Sequence, residues 1–290
     1  MTTTLTVGSL TVGNTEPLTL IGGPCVLEEP ETNTIIGETL KNLCAELGMG
    51  FVLKASFDKA NRSSAGSPRG PGLGAGLDEL DRLRRQLGVP ITTDVHEPGQ
   101  AARVAEVADL LQVPAFLCRQ TDLLLACAAT GRPVNVKKGQ FVSPVEMKHV
   151  ADKLQSGGCA QIMLTERGTF FGYHRLVNDF IGLGDLMALG FPVCFDATHS
   201  TQLPGAEAKV TGGRPDRVPL LARAAVAAGV PAVFLECHPR PAQARSDAST
   251  AQPLDRMEAM LRPLVAIRAA MTAADSAGEA QIPVPSGSSS

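Results

Sequence analysis

Cys25, His199, Glu236 and Asp247 stand at, or just beyond, the ends of apolar runs in this 290-residue chain. A thiolate, an imidazole and two carboxylates make a mixed soft and hard donor set. Such a set suits a divalent Zn, Fe, Co or Mn ion, whereas Mg²⁺ prefers oxygens and water. The spacing is no local metal motif, so the residues alone leave two readings open. Cys25 in Gly-Gly-Pro-Cys also fits a small buried hydrophobe, and His199 also fits a partner for a backbone group.

A second set is cationic. Lys54, Lys59, Arg62, Arg69, Arg119, Lys137, Lys138 and Arg167 all fall at the ends of apolar runs or in the segments that follow. Lys54 and Lys137 lie inside such runs, where an unpaired charge is costly; a bound anion would offset that cost. Several converging cations suit two phosphates, or a phosphate and a carboxylate. A Schiff-base mechanism needs one activated lysine instead. Asp94 and His96 close the run PITTDVH and suit acid–base work. Cys44, Cys118, Cys127, Cys159, Cys194 and Cys237 read as core, the last because period-two alternation turns it away from the face of Glu236. His149 and His174 read as surface or helix residues.

Eight strand-like runs position these groups: LTLIGG before Cys25, FVLKAS with Lys54, PITTDVH, LLQVPA with Gln112, PVNVKK with Lys137 and Lys138, QIMLTER before Arg167, PVCFDATH with Asp196 and His199, and AVFLECH with Glu236 and His238. Helical patterns follow at 31–47, 77–87, 99–107, 122–129, 144–154, 176–189, 218–228 and 254–270, several ending in glycine. Eight strand–helix units imply a (β/α)₈ TIM barrel, whose chemistry sits at the C-terminal rim of the strands. Residues 4–13 read as a hairpin capping the bottom of the barrel. One catalytic domain is expected over 1–272, then a flexible tail over 273–290. The stretches 57–76, 200–217 and 238–253 are long for strand-to-helix loops, which points to function.

Apolar residues make up 44% of the chain, enough for a sizeable core, while the net charge of −3 and the lack of Trp argue against nucleic acid as a partner. The polar, Thr-rich start resembles no signal peptide, and no apolar run is long enough for a membrane helix. An odd count of seven cysteines in core-like runs is no disulfide framework. A cytoplasmic location is expected.

The blocks GGPCVLE, KASFDKANRSS, TDVHEP, QVPAFLCRQTDLL, NVKKGQF, LTERGTFFGYHRLVND, FDATHSTQLPG and FLECHPRPAQARSDAST, in this order over about residues 17–254, resemble the 3-deoxy-D-manno-octulosonate 8-phosphate synthases, also called 2-dehydro-3-deoxyphosphooctonate aldolases. The resemblance implies a homotetrameric TIM-barrel transferase that condenses phosphoenolpyruvate with D-arabinose 5-phosphate and water, releasing phosphate, on the route to the lipopolysaccharide inner core. It implies that Lys54, Lys59, Arg119, Lys137 and Arg167, with Gln112 beside them, hold phosphoenolpyruvate. Asn61, Arg62 and Ser63, with Asp94, would hold arabinose 5-phosphate, Arg62 reaching the phosphate in a neighbouring subunit. Lys54, Asp94, His96, Lys137 and His199 would be the catalytic group. Cys25, where the metal-independent class carries Asn, together with the SDAST segment, matches the metal-dependent class and implies the ligands Cys25, His199, Glu236 and Asp247. Two alternatives are the related aromatic-pathway synthase using erythrose 4-phosphate and a non-catalytic sugar-phosphate-binding barrel.

Overall fold

A computed structural model describes residues 4–62, 66–206 and 212–279. The eight runs form parallel strands β1 (Thr19–Gly23), β2 (Gly50–Lys54), β3 (Ile91–Asp94), β4 (Leu110–Val113), β5 (Val134–Lys137), β6 (Ile162–Glu166), β7 (Val193–Asp196) and β8 (Ala232–His238). Each pairs with the next, and β8 closes on β1 from Ala232↔Thr19 to Glu236↔Gly23. The helices between and after them are α1 (Pro30–Glu46), α2 (Leu73–Leu87), α3 (Ala101–Val107), α4 (Thr121–Ala128), α5 (Met147–Ser156), α6 (Phe180–Ala188), α7 (Val218–Ala227) and α8 (Met257–Glu279). The chain is therefore the expected (β/α)₈ barrel.

Alternation along each strand sorts side chains into two cores. Leu20, Leu53, Leu111, Val136, Leu164, Phe195 and Leu235 point outward and pack beneath the helices. Ile21, Val52, Leu110, Met163, Cys194, Ala232 and Phe234 point inward and fill the lower barrel with Leu5, Val7 and Val12. The latter three come from the hairpin Leu5–Val7 and Leu10–Val12, whose apolar face seals the barrel bottom as expected. Higher up the interior turns polar with Thr92, Gln112, Asn135 and Thr165, then charged with Lys54, Asp94, Lys137, Asp196 and Glu236. This gradient puts every costly group at one end.

Two elements depart from expectation. The helix read over 176–189 begins only at Phe180, because Arg175–Val177 pairs antiparallel with Thr169–Gly172. Tyr173 and His174, at φ 54° and 51°, make that turn, and the Asp179 carboxylate accepts from the Ile181 N–H to start the helix. At the other end α8 continues past 273, where the tail was expected, to Glu279; its Ala-rich turns favour helix. Residues from 280 onward lie outside the described residues. The 200–217 loop carries a short pair, Gln202–Leu203 with Gly212–Gly213, and the 238–253 loop returns to β8 through Gln252–Pro253.

Candidate active site

The charged end of the barrel opens into a basin of about 650 Å³. Its lining includes Cys25, Lys54, Lys59, Asn61, Arg62, Asp94, His96, Gln112, Lys137, Arg167, His199, Glu236 and Asp247, which lie far apart in sequence but on neighbouring strand ends and loops. Gly23 makes the first approach possible. It sits at φ 155°, and a Cβ there would lie 2.1 Å from the Lys54 carbonyl oxygen, so only glycine lets the ends of β1 and β2 close up. Lys54 Nζ then donates to the Cys25 carbonyl at 2.6 Å and to Glu236 Oε1 at 3.2 Å, with Asp94 Oδ2 at 3.7 Å. Burial opposes the Lys54 charge, but Glu236 and Asp94 outweigh it and hold the ammonium above its ordinary pKa. Asp94 also accepts from Ser56 Oγ and from Gln112 Nε2; burial opposes its charge, but Lys54, His96, Lys137 and the Ser56 hydrogen bond together outweigh it and hold the carboxyl well below the usual carboxylate range.

On the opposite wall Asp196 is fully buried and joins two groups. Lys137 Nζ donates to its Oδ2 at 2.6 Å while lying 3.5 Å from the centroid of the Phe234 ring. His199 Nδ1 lies 2.7 Å from the same oxygen, and the His199 N–H donates to Oδ1 at 2.9 Å. Burial alone would lower the His199 imidazole; Asp196 and Glu236 reverse this and lift it from 6.5 to about 10. Arg167, buried over its length, donates to the His199 carbonyl at 2.8 Å and to Gln202 Oε1 at 2.6 Å.

The soft corner assembles as well. Cys25, Glu236 and Asp247 each offer a ligand atom, all within 4.8 Å of one another. His199 Nε2 comes within 3.6 Å of Glu236 Oε1 and 3.4 Å of Asp247 Oδ2. Three observations fit a cation there. Glu236 Oε2 is buried with no hydrogen-bond partner. The Lys59 ammonium already reaches in, 2.5 Å from Asp247 Oδ2 and 3.3 Å from Cys25 Sγ. And Asp247 enters only through a backbone at φ 51°, an uncommon conformation held by the surrounding loop. Burial, with Asp247 and Glu236, pushes the Cys25 thiol up despite Lys59 and Lys54.

Not every expected residue arrives. Lys138 faces away from the basin and is fully buried, donating to the Val142 carbonyl and Thr169 Oγ1 at 3.0 Å, with Glu166 Oε2 at 3.5 Å. The alternation that separates Cys237 from Glu236 also separates Lys138 from Lys137. Arg69 pairs with Asp58 and lies outside the lining. Arg119 is exposed and likewise outside it. Ser63 lies outside the described residues. All seven cysteines are free and buried, and Cys25 alone among them lines the basin; His149 and His174 are exposed. Asp196 was visible as a strand-end residue without a role, while Ser56 and Gln202 carried no sequence signal beyond their places beside the rim.

A closed parallel barrel with a charged basin at the C-terminal rim is the architecture of a TIM-barrel enzyme. The chain belongs to the DAHP synthetase I family, whose model matches residues 2–272. Relatives named 2-dehydro-3-deoxyphosphooctonate aldolase share about half their residues with it. One from a Cyanothece strain is 52% identical over 262 residues, covering 90% of this chain and 96% of the relative. One from a Synechococcus strain is 53% identical over 260 residues, covering 90% and 92%, and one from Desulfatibacillum aliphaticivorans is 52% identical over 271 residues, covering 93% and 99%. The chain is thus similar to the enzymes its motifs resemble. No helix among the described residues is long and apolar enough to cross a membrane.

Proposed function

We propose that the protein condenses phosphoenolpyruvate with D-arabinose 5-phosphate and water to give 3-deoxy-D-manno-octulosonate 8-phosphate and phosphate, for lipopolysaccharide precursor synthesis in the cytoplasm. The observation that carries this reading is the meeting of buried Lys54, Lys137 and Arg167 with Asp94 and the Cys25 corner in one basin. Lys54, Lys137 and Arg167, helped by Lys59 and Gln112, neutralise the phosphate and carboxylate of phosphoenolpyruvate. Asn61, Arg62 and Asp94 offer donors and an acceptor to the pentose phosphate. C3 of the enol ester bonds to the aldehyde carbon, whose oxygen gains a proton. Water adds at C2, and the C–O bond to phosphate breaks, its electron pair leaving with phosphate. Cations fixed on strand ends lower this barrier by orientation and charge stabilisation, without reorganising during the reaction.

Cys25, His199, Glu236 and Asp247 would hold a divalent Zn, Fe, Mn or Co ion. When bound it would polarise the aldehyde or activate water. Assembly as a homotetramer is consistent with apolar side chains left in water near the rim, among them Phe171, Tyr173 and Ile181, at 72, 84 and 82% exposure. The test is phosphate release from phosphoenolpyruvate with arabinose 5-phosphate or erythrose 4-phosphate, before and after exhaustive chelation. Turnover only with the five-carbon sugar, lost on chelation and restored by metal, is expected. Preference for erythrose 4-phosphate, or full activity in the chelated enzyme, refutes the corresponding half of the proposal.

A further inference from the structure

Below the basin floor, neutral side chains form a hydrogen-bonded row across three strands that metal and anion binding leave unexplained. Gln112 Nε2 donates to Asp94 Oδ1 at 2.8 Å, Asn135 Nδ2 donates to Gln112 Oε1 at 3.1 Å, and Thr165 Oγ1 donates to Asn135 Oδ1 at 2.7 Å. Asp94 and Gln112 are register partners, as are Gln112 and Asn135, so strand pairing aligns the row up to Asn135; Thr165 reaches Asn135 diagonally, two residues beyond its register partner Met163. Asn135 and Thr165 are fully buried and outside the basin lining, whereas Gln112 and Asp94 line it. A polar pair this deep is costly unless each member is satisfied, and here each is.

The row has only one direction. An ionised Asp94 can accept but not donate, so Gln112 must present its amide nitrogen there and its carbonyl to Asn135. Asn135 must then turn its own nitrogen to Gln112 and its oxygen to the threonine hydroxyl. A glutamine amide has two protons. Asp94 takes one, and the basin position of Gln112 leaves the other for a ligand.

We propose that Asn135 and Thr165 are positioning residues: Asp94 sets the direction of the Gln112 amide, and they hold it there through the Gln112 carbonyl, in the orientation serving both Asp94 and a bound anionic substrate. The inference rests on the reaction proposed above. It identifies no new contact with substrate; it assigns the source of Gln112's preorganisation.

The experiment is a double-mutant cycle on steady-state phosphate release, using Thr165→Val, Thr165→Ser and Gln112→Ala. Thr165→Val is nearly isosteric and removes only the hydroxyl. It should lower kcat/KM about tenfold, the effect of one well-placed hydrogen bond. Thr165→Ser should stay within about twofold of the parent by the same reasoning. In the Gln112→Ala background Thr165→Val should have no further effect, because nothing is left to orient. An equal loss in both backgrounds, or no loss in the parent, overturns the assignment, since a merely structural threonine acts independently of Gln112. A second readout separates this from the proposed reaction. The side-chain amide NMR signal of Gln112, identified by its loss in Gln112→Ala, should shift in Thr165→Val and hold in Thr165→Ser. That result is expected even if the substrates prove wrong; an unmoved signal in Thr165→Val refutes the locked amide.

Discussion

Asp196→Asn is the most informative single perturbation, because one fully buried carboxylate serves two side chains of the basin. It receives Lys137 Nζ at 2.6 Å and His199 Nδ1 at 2.7 Å on the same oxygen. The substitution keeps shape and removes charge, which leaves the Lys137 ammonium without its counter-charge in a nearly dry site. Breaking a buried pair from one side costs roughly 3–5 kcal/mol. For a chain of 290 residues, an unfolding entropy of about 2.1 cal/mol/K per residue converts that cost to a melting-temperature drop of about 5–8 °C. The effect on His199 is separable. As a ligand, His199 would bind through Nε2 and donate Nδ1–H to Asp196; loss of such an outer partner typically weakens metal binding about 10–100-fold. Scanning calorimetry of the metal-free protein reads the first effect, and competition against a chelator of known affinity reads the second. A variant with unchanged melting temperature and unchanged metal affinity would show that Asp196 neither neutralises Lys137 nor orients His199.

Three further outcomes are expected. Arg62→Ala should raise the Michaelis constant for arabinose 5-phosphate far more than that for phosphoenolpyruvate, since Arg62 lines the basin on the β2 loop and bonds Ser246 Oγ at 3.3 Å; equal effects on both would mean the loop is assigned to the wrong substrate. Borohydride added with either substrate should leave the enzyme active and unlabelled, because Lys137 is committed to Asp196 and the enol ester needs no imine; mass spectrometry showing a reduced adduct on Lys137 or Lys54 would contradict this. Burial pushes the Cys44 and Cys127 thiols from 9.0 to about 12, so the fold favours their neutral forms. Their contribution to stability is therefore full below pH 9 and is lost as the pH rises toward 12, at about 1.4 kcal/mol per thiol per pH unit. Urea midpoints between pH 9 and 10 should fall less steeply in the Cys44→Ala/Cys127→Ala variant, and parallel slopes would refute the argument.

The barrel was legible in the sequence because its signal is local and repeated. Eight short apolar runs alternating with helical patterns read as strands, and counting back by two from Lys54 and Glu236 puts Val52 and Phe234 on the same inward face. The positions of Lys54, Lys137, Asp94 and Glu236 at strand ends followed from the same count. What the alternation leaves undetermined is pairing between strands, which depends on closure and register. Only the closed barrel brings Glu236 to Lys54 and Asp196 to Lys137, lines Asn135 up behind Gln112, and turns Asp247 into the corner through a left-handed backbone. Only tertiary packing, too, gives Arg69 to Asp58 and leaves Arg119 on the exposed surface. The physical reason is range. Hydrophobic periodicity is written in neighbouring residues, but the environment of a charge is set by whatever the fold carries to within a few ångströms, often from the far end of the chain.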